Sequence, residues 1–253
     1  MSEIITVNND NVERHGFFCR MSARDSQAWR DKRDWLAARF DEGLQMRLLG
    51  GGERGFIEFI PGAYAWRAID AAQDFVVIHC LWIVGRSKGQ GFGSMLLDEA
   101  ENWARANGFR GVASLTGSSN WLIGRKLLER RGYVSVERIS PGGYHLMVRE
   151  FSPGPMPRLS GNWEQKARAL GPGLTVLRTA QCPYLGPAAD HARAAAAQFG
   201  LPFSDHIIHS AEELRHVSPT PYGVYALVRD GKVISTHHLR EEHLVKRLQA
   251  GQD

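Results

Sequence analysis

The sequence predicts a mixed α/β (α+β) fold in two parts: a larger mixed sheet flanked by helices, then a small domain of order βαβαββα. Three observations predict it. Phe75–Val84 is apolar on both faces, as a central strand covered from both sides must be, and it runs through a glycine-rich turn into a helical pattern. Strand and helix patterns alternate around it and close on a hairpin. Prolines 153, 155, 157 and 172 crowd with glycines 154, 161, 171 and 173 between Ser152 and Gly173, which marks a connector. The boundaries are therefore residues 1–151, a linker at 152–171, and residues 172–253.

In order, Ile4–Val7 reads as an edge strand and Asp25–Phe40 as a helix with Trp29, Trp35, Leu36 and Phe40 inward. Gln45–Leu49 and Gly55–Ile60 are strands joined across three glycines, and Phe75–Val84 follows. A helix from Gly91 to Asn107 is closed by Gly108 at its C-terminal cap position. Gly111–Leu115 is a strand and Trp121–Arg131 a helix ended by Gly132. Val134–Ile139 and Tyr144–Phe151 pair across Pro141-Gly142-Gly143. Trp163–Leu170 reads as a turn or two of helix inside the linker. The second part reads strand Leu174–Arg178, helix Pro187–Phe199, strand Phe203–Ile208, helix Ala211–His216, strands Gly223–Val228 and Lys232–Thr236 across Asp230-Gly231, and helix Glu241–Leu248.

The chain has 253 residues, 43% of them hydrophobic and 23% charged, enough for full cores and against global disorder. No apolar run is long enough to cross a bilayer, and the N-terminus lacks a basic flank before a greasy stretch. Three scattered cysteines (Cys19, Cys80, Cys182) argue against a disulfide scaffold and for a reducing, cytoplasmic setting. The net charge is +4, and it resides in residues 1–171, because residues 172–253 carry eight basic and eight acidic side chains. Without a dense basic run, a local site for a small polyanion is favoured over nucleic acid. Most histidines lie in the second part, yet their spacing matches no standard metal site, and His237 and His238 on a strand point to opposite faces. No metal is expected.

The chemistry gathers at Lys88-Gly89-Gln90-Gly91-Phe92-Gly93-Ser94. A glycine-rich turn entering a helix leaves backbone N–H groups unpaired and pointing outward, with the helix dipole behind them. Such a turn holds a phosphate or pyrophosphate, and Arg86 and Lys88 add positive charge. A tight turn without ligand is the plainer alternative. The third glycine of a dinucleotide fingerprint and the Gly-Lys-Ser/Thr of a nucleotide loop are both missing.

Cys80–Glu99 resembles the acyl-CoA motif of the GNAT (Gcn5-related) N-acetyltransferases, Arg/Gln-x-x-Gly-x-Gly/Ala between a central strand and a long helix. Lys88, Gly91 and Gly93 occupy its fixed positions, with lysine keeping the charge but losing the planar fork of arginine. Leu127-Leu-Glu-Arg-Arg-Gly-Tyr133 is similar to the helix end that follows in that family. The resemblance implies acetyl-CoA as co-substrate. The amides of Gln90 to Ser94 would hold its pyrophosphate, and the backbone of Ile83 and Val84 would pair with its pantetheine arm. It further implies direct transfer of acetyl to an amine through a tetrahedral intermediate, with one group taking the ammonium proton and another protonating the thiolate. The family often uses a tyrosine for the latter, but Leu128 stands there, Trp121 takes the place of the family's asparagine with Asn120 one residue early, and Tyr133 reads as core. The acid is unassigned.

For the base, His79 and Cys80 lie on the central strand ahead of the turn, and an imidazole titrates near neutrality. Its rival is Glu58, a carboxylate in the apolar strand Phe56-Ile-Glu-Phe-Ile, which must face solvent, a partner or a cleft. A core histidine bonded to backbone is the alternative for His79. Tyr64, Trp66 and Arg67 either line an acceptor pocket or anchor a loop.

In the second part, Gln181-Cys182-Pro183-Tyr184-Leu185 lies between a strand and a helix, where a thiol loses its proton more easily. It resembles the Cys-Pro-Tyr-Cys motif of thioredoxin- and glutaredoxin-like domains, with Leu185 replacing the second cysteine, which excludes a two-cysteine cycle within the motif. Ser218-Pro-Thr-Pro-Tyr is similar to that family's cis-proline loop. The combination of domains, with Ile60-Pro-Gly-Ala-Tyr-Ala-Trp-Arg67 and Ile78-His-Cys-Leu-Trp82, resembles the YoaP-like acetyltransferases. Cys182 would do monothiol chemistry or hold a thiol; otherwise the domain serves packing or homodimer formation. The acceptor expected is a small-molecule or peptide-like amine. The other reading is a non-catalytic CoA- or thiol-binding protein.

Overall fold

The computed structural model describes residues 3–118, 121–139, 143–239 and 241–249. Along the chain these form β1 (Ile4–Val7), α1 (Val12–His15), α2 (Gln27–Phe40), β2 (Gln45–Leu49), β3 (Gly55–Pro61), β4 (Ile69–Asp70) and β5 (Phe75–Ile83). There follow α3 (Phe92–Ala106), β6 (Gly111–Thr116), α4 (Arg125–Arg130), β7 (Val134–Ile139), β8 (Tyr144–Glu150), β9 (Arg158–Leu159) and α5 (Trp163–Ala169). The last are β10 (Leu174–Arg178), α6 (Leu185–Gln198), β11 (Phe203–Ile207), α7 (Ala211–Val217), β12 (Tyr225–Arg229), β13 (Lys232–Ser235) and α8 (Glu241–Gln249). Asn120 and the Pro141-Gly142 pair lie outside the described residues.

Two compact units result. One comprises residues 1–21, 36–65 and 69–159, and the other residues 22–35, 66–68 and 160–253. The cut falls near the expected linker, but the second unit also takes the first part of α2, the Trp66-Arg67-Ala68 tripeptide and α5. Local patterning could not reveal this, because long-range packing decides it.

The first unit holds a seven-stranded mixed sheet of order β1-β2-β3-β5-β6-β8-β7. β1 is at the edge and β5 in the middle, as the patterning predicts. Only β5 and β6 run parallel. A parallel step needs a crossover, and α3 supplies it. Leu96, Leu97, Ala100 and Ala104 of α3 are buried at helical spacing against Ile57, Phe59, Val76, Ile78, Val112 and Met147 of the sheet. Glu101 on the same helix accepts hydrogen bonds from Arg131 (2.9 Å) and Arg149, tying α3 to the end of α4 and to β8. The helix expected at Trp121–Arg131 is shorter. Gly124, extended at φ −66°, ψ 125°, caps it, and α4 begins only at Arg125. A glycine loses more backbone entropy in a helix than any other residue, so it serves better as the boundary.

The second unit holds a four-stranded sheet of order β11-β10-β12-β13, with β10 and β11 parallel and the other pairs antiparallel. The βαβαββα order is as expected. Ala188, Ala189, Ala192, Ala195 and Ala196 let α6 lie close to Leu174, Val176, Tyr225 and Leu227. Asp230 (φ +50°) and Gly231 (φ +73°) make the β12–β13 turn, which demands two left-handed residues in succession.

Candidate active site

β5 pairs with β6 only from Phe75 to Ile78, opposite Gly111 to Ser114, although it continues to Ile83. Past that rung the two strands part. β5 is buried from Phe75 to His79 and half-exposed from Cys80 onward, so the parting opens a cleft in the middle of the sheet. On its other side β5 stays paired with β3, through Cys80↔Glu58, Leu81↔Ile57, Trp82↔Phe56 and Ile83↔Gly55. The Val84 amide donates to the Arg54 carbonyl at 3.0 Å. Backbone groups alternate sides along a strand, so Val84 and Trp82 face β3, while Ile83 and Leu81 present theirs to the cleft. The Val84 amide is thus engaged on the β3 side, whereas Leu81, like Ile83, turns its backbone groups to the cleft.

At the mouth of the cleft the chain turns into α3. Gly89 (φ +77°) and Gly91 (φ +83°) adopt left-handed backbone, with Gly91 as the helix N-cap. A Cβ built on either would meet nothing within 4 Å, so both face open space. Among the described residues, the amides of Gln90, Gly91, Phe92 and Gly93 have no carbonyl partner, whereas those of Ser94 (3.0 Å) and Met95 (3.1 Å) donate to the Gly91 carbonyl. The nest is therefore Gln90 to Gly93, one residue shorter than expected, with Ser94 inside the first helical turn. Lys88 and Arg86 stand exposed beside it. Ser87 pins the turn: buried, it donates to Glu53 Oε2 at 2.6 Å and accepts from the Arg54 amide at 2.9 Å. A Cβ built on Gly93 would lie 3.4 Å from Leu127 of α4, in ordinary van der Waals contact. Four unpaired amides at the N-terminus of a fifteen-residue helix, with cations alongside, suit a pyrophosphate.

Glu58 and His79 come together: Nδ1 of His79 lies 3.1 Å from Oε1 of Glu58, and the His79 side chain is 0% and the Glu58 side chain 2% exposed. Between them the β3–β5 register slips, since Glu58 faces Cys80 whereas Phe59 faces Ile78, which leaves His79 as the extra residue of a β-bulge. Bulges re-aim a side chain. Here the bulge brings the imidazole onto the Glu58 carboxylate. A carboxylate only accepts, so Nδ1 carries the hydrogen shared with Glu58. The two expected rivals for the base are thus one hydrogen-bonded pair.

The remaining expected residues separate. Leu128 is fully buried in the core of the first unit, so α4 offers no hydroxyl there. Tyr133 is core too; burial first, and then the Glu101 carboxylate, hold its hydroxyl well above the usual phenol range, and it stays protonated. Tyr64 is 47% exposed. Trp66 and Arg67 are buried in the second unit instead. Arg67 donates to Gln181 Oε1 (3.0 Å) and to the Trp66 carbonyl (2.7 Å) and lies over the Tyr222 ring, while Trp66 meets Trp35 edge-on. In that unit Cys182 is half-exposed just ahead of α6, its carbonyl accepting from the Leu185 amide at 3.1 Å, and Tyr184 stacks on His238. Burial, then His237 and His191, hold His238 below the usual histidine range.

Sequence reasoning missed Leu81, Ser87 and a polar group at the end of β6: Ser114, Thr116 and, opposite Thr116 on β8, His145. None carries a local signal, since each gains its place from strand pairing. Burial, then Arg125 and Arg138, depress the His145 pKa.

Residues 10–133 match the model of the acetyltransferase (GNAT) family. Over 248 residues the chain is 28% identical to the uncharacterized N-acetyltransferase YoaP of Bacillus subtilis (strain 168), covering 96% of this chain and 97% of that protein. Among solved structures, yncA of Salmonella typhimurium with its cofactor acetyl-CoA aligns at TM-score 0.45 and 15% identity, over 62% of this chain and 98% of its own. An N-acetyltransferase of Staphylococcus aureus Mu50 aligns at TM-score 0.43 and 14% identity, over 60% and 99%. The parallel β5-α3-β6 crossover and its glycine turn thus lie inside the segment that is similar to the acetyltransferase (GNAT) family.

Proposed function

We propose that the protein moves an acetyl group from acetyl-CoA directly to an amine of a small-molecule or peptide-like acceptor. The observation that carries this is the cleft between β5 and β6, which ends at the unpaired amides of Gln90 to Gly93. Those amides with Lys88 and Arg86 hold the pyrophosphate, and the glycines leave it room. Ile83 and Leu81 offer backbone groups to the pantetheine amides along the open edge of β5. Acetyl-CoA supplies the activated acyl group. The chain's own part is to align it, exclude water and take the proton of the amine. We assign the last step to the Glu58–His79 pair: Glu58 orients the ring and balances its charge once the imidazole is protonated. The exposed Tyr64 belongs to the acceptor side.

Residues 1–151 are the catalytic domain in this reading and 172–253 a thioredoxin-like domain joined by 152–171. The strand order β11-β10-β12-β13 with one parallel pair, and Cys182 before α6, support that kinship. With Leu185 at the second cysteine position, Cys182 acts as a monothiol or holds a thiol substrate, and Trp66 and Arg67 serve that domain. None of the three cysteines forms a disulfide, in keeping with a cytoplasmic location.

A panel of primary amines and short peptides, incubated with the full chain and acetyl-CoA, tests the reading. The expected result is enzyme-dependent release of CoA thiol together with an acetylated product seen by mass spectrometry. Tight CoA binding without product from any amine would favour a binder that has lost its chemistry, as the buried Leu128 suggests.

A further inference from the structure

Transfer leaves a thiolate, and Leu128 leaves α4 without a hydroxyl to meet it. The structure has two hydroxyls elsewhere. Ser114 and Thr116 are each 1% exposed, and neither Oγ of Ser114 nor Oγ1 of Thr116 has a hydrogen-bond partner. Buried hydroxyls are normally satisfied, and one that is not calls for an explanation.

Their place supplies it. Ser114 is the last β6 residue paired with β5, opposite Ile78, and Thr116 stands two residues further along the open edge. Paired residues share a face, and alternate residues along a strand share it too. Ser114 pairs with Met147 on one side and Ile78 on the other, both in the core built by α3 and Leu128. Ser114 and Thr116 therefore face the side of the sheet on which α4 would have presented its hydroxyl. Ile57 and Phe59 of β3 belong to that core, so Glu58 between them faces the opposite side. The cleft has a proton acceptor on one face and two unsatisfied donors on the other.

We infer that the hydroxyls of Ser114 and Thr116 donate to the thioester sulfur and stabilise the thiolate as it departs. This rests on the acetyl-CoA reading above. The amine nitrogen bonds to the acetyl carbon, the C–S bond breaks, and its electron pair stays on sulfur. The amine's proton goes to the Glu58–His79 pair. The hydroxyls keep their protons and act as hydrogen-bond donors, so CoA departs as the thiolate. The charged and titratable groups nearby are His145, opposite Thr116, Arg138, opposite His145 on β7, and Arg125, whose guanidinium lies 3.3 Å from His145 Nε2 and which is paired with Glu129. The depressed pKa of His145 keeps it neutral above pH 7, and Arg125 holds a constant charge.

CoA itself is the probe, because no acceptor is needed. Titrating the full-length protein bound to CoA, with thiolate absorbance read against a CoA-free blank, gives the pKa of the bound thiol. The wild type should hold it below that of free CoA measured alongside. The Ser114→Ala, Thr116→Val double variant should raise it by about one unit, a tenfold change in ionisation. At pH 6, where the bound thiol is protonated in both proteins, affinity for CoA should stay within about twofold, and the melting temperature should hold or rise, since an unpaired hydroxyl is lost without a bond. Thr116→Ser keeps a donor and should keep the low value. The same bound-thiol pKa in the wild type and the double variant would overturn the assignment. Failure of the wild type to bind CoA would overturn the cofactor reading beneath it, and the same titration reveals this before any variant is made.

Discussion

Gly91→Asp is expected to abolish acetyl-CoA binding and leave the protein folded. Gly91 caps α3 at φ +83°, its Cβ position is open, and its amide is one of the four that face the anion. Aspartate tolerates left-handed backbone better than most residues and is a favourable N-cap, so the backbone strain, about 1 kcal/mol, is partly offset. The carboxylate, however, projects into the space meant for the pyrophosphate and cancels the field that draws it. A thermal shift assay reads the outcome. At a hundredfold excess over Kd, the wild type gains about 2.7 kcal/mol, which at roughly 2–4 °C per kcal/mol raises Tm by about 5–10 °C. The variant should show no shift. An equal shift in both proteins would place the ligand elsewhere.

Glu58→Gln should lower kcat by about a hundredfold or more, within the usual range for removing a positioned acid–base group, with the KM for acetyl-CoA nearly unchanged. Glutamine can still bond His79 across the 3.1 Å contact, so the fold should survive, but it cannot balance an imidazolium in a site closed to solvent. His79→Gln should cost as much, and the double variant no more than either alone, because the two residues act as one group. Glu58→Ala is a different experiment. It strands a fully buried ring nitrogen and should destabilise the protein by about 1–3 kcal/mol. Unchanged kcat in Glu58→Gln would make the pair a structural bond within the bulge.

The fold was legible where local chemistry decides it. Phe75–Ile83 had to be central because no face of it is polar, and the glycine turn had to precede a helix because Gly89 and Gly91 can adopt the left-handed backbone that the turn demands. The site was legible in its residues but not in its arrangement. Glu58 and His79 stood out singly; that they bond depends on a one-residue slip between β3 and β5, which no periodicity records. The cleft exists because β6 leaves β5 after Ser114, and strand parting is a property of register, not of composition. That is why the sequence does not single out Ser114, Thr116 or Leu81. In sequence Arg67 stands with Tyr64 and Trp66, which leaves an acceptor pocket and a loop anchor equally open. Its bonding partner, Gln181, is 114 residues away in sequence. Trp121 was placed in a helix that Gly124 does not extend to it. It contacts Trp82 instead, with ring centroids 5.4 Å apart.

Calorimetric titration of acetyl-CoA into the full chain tests the central claim most directly. The β5–β6 cleft and its amide nest predict a single site with micromolar affinity, corresponding to about 8 kcal/mol, that weakens as salt screens Lys88 and Arg86. No heat of binding up to millimolar acetyl-CoA would contradict it.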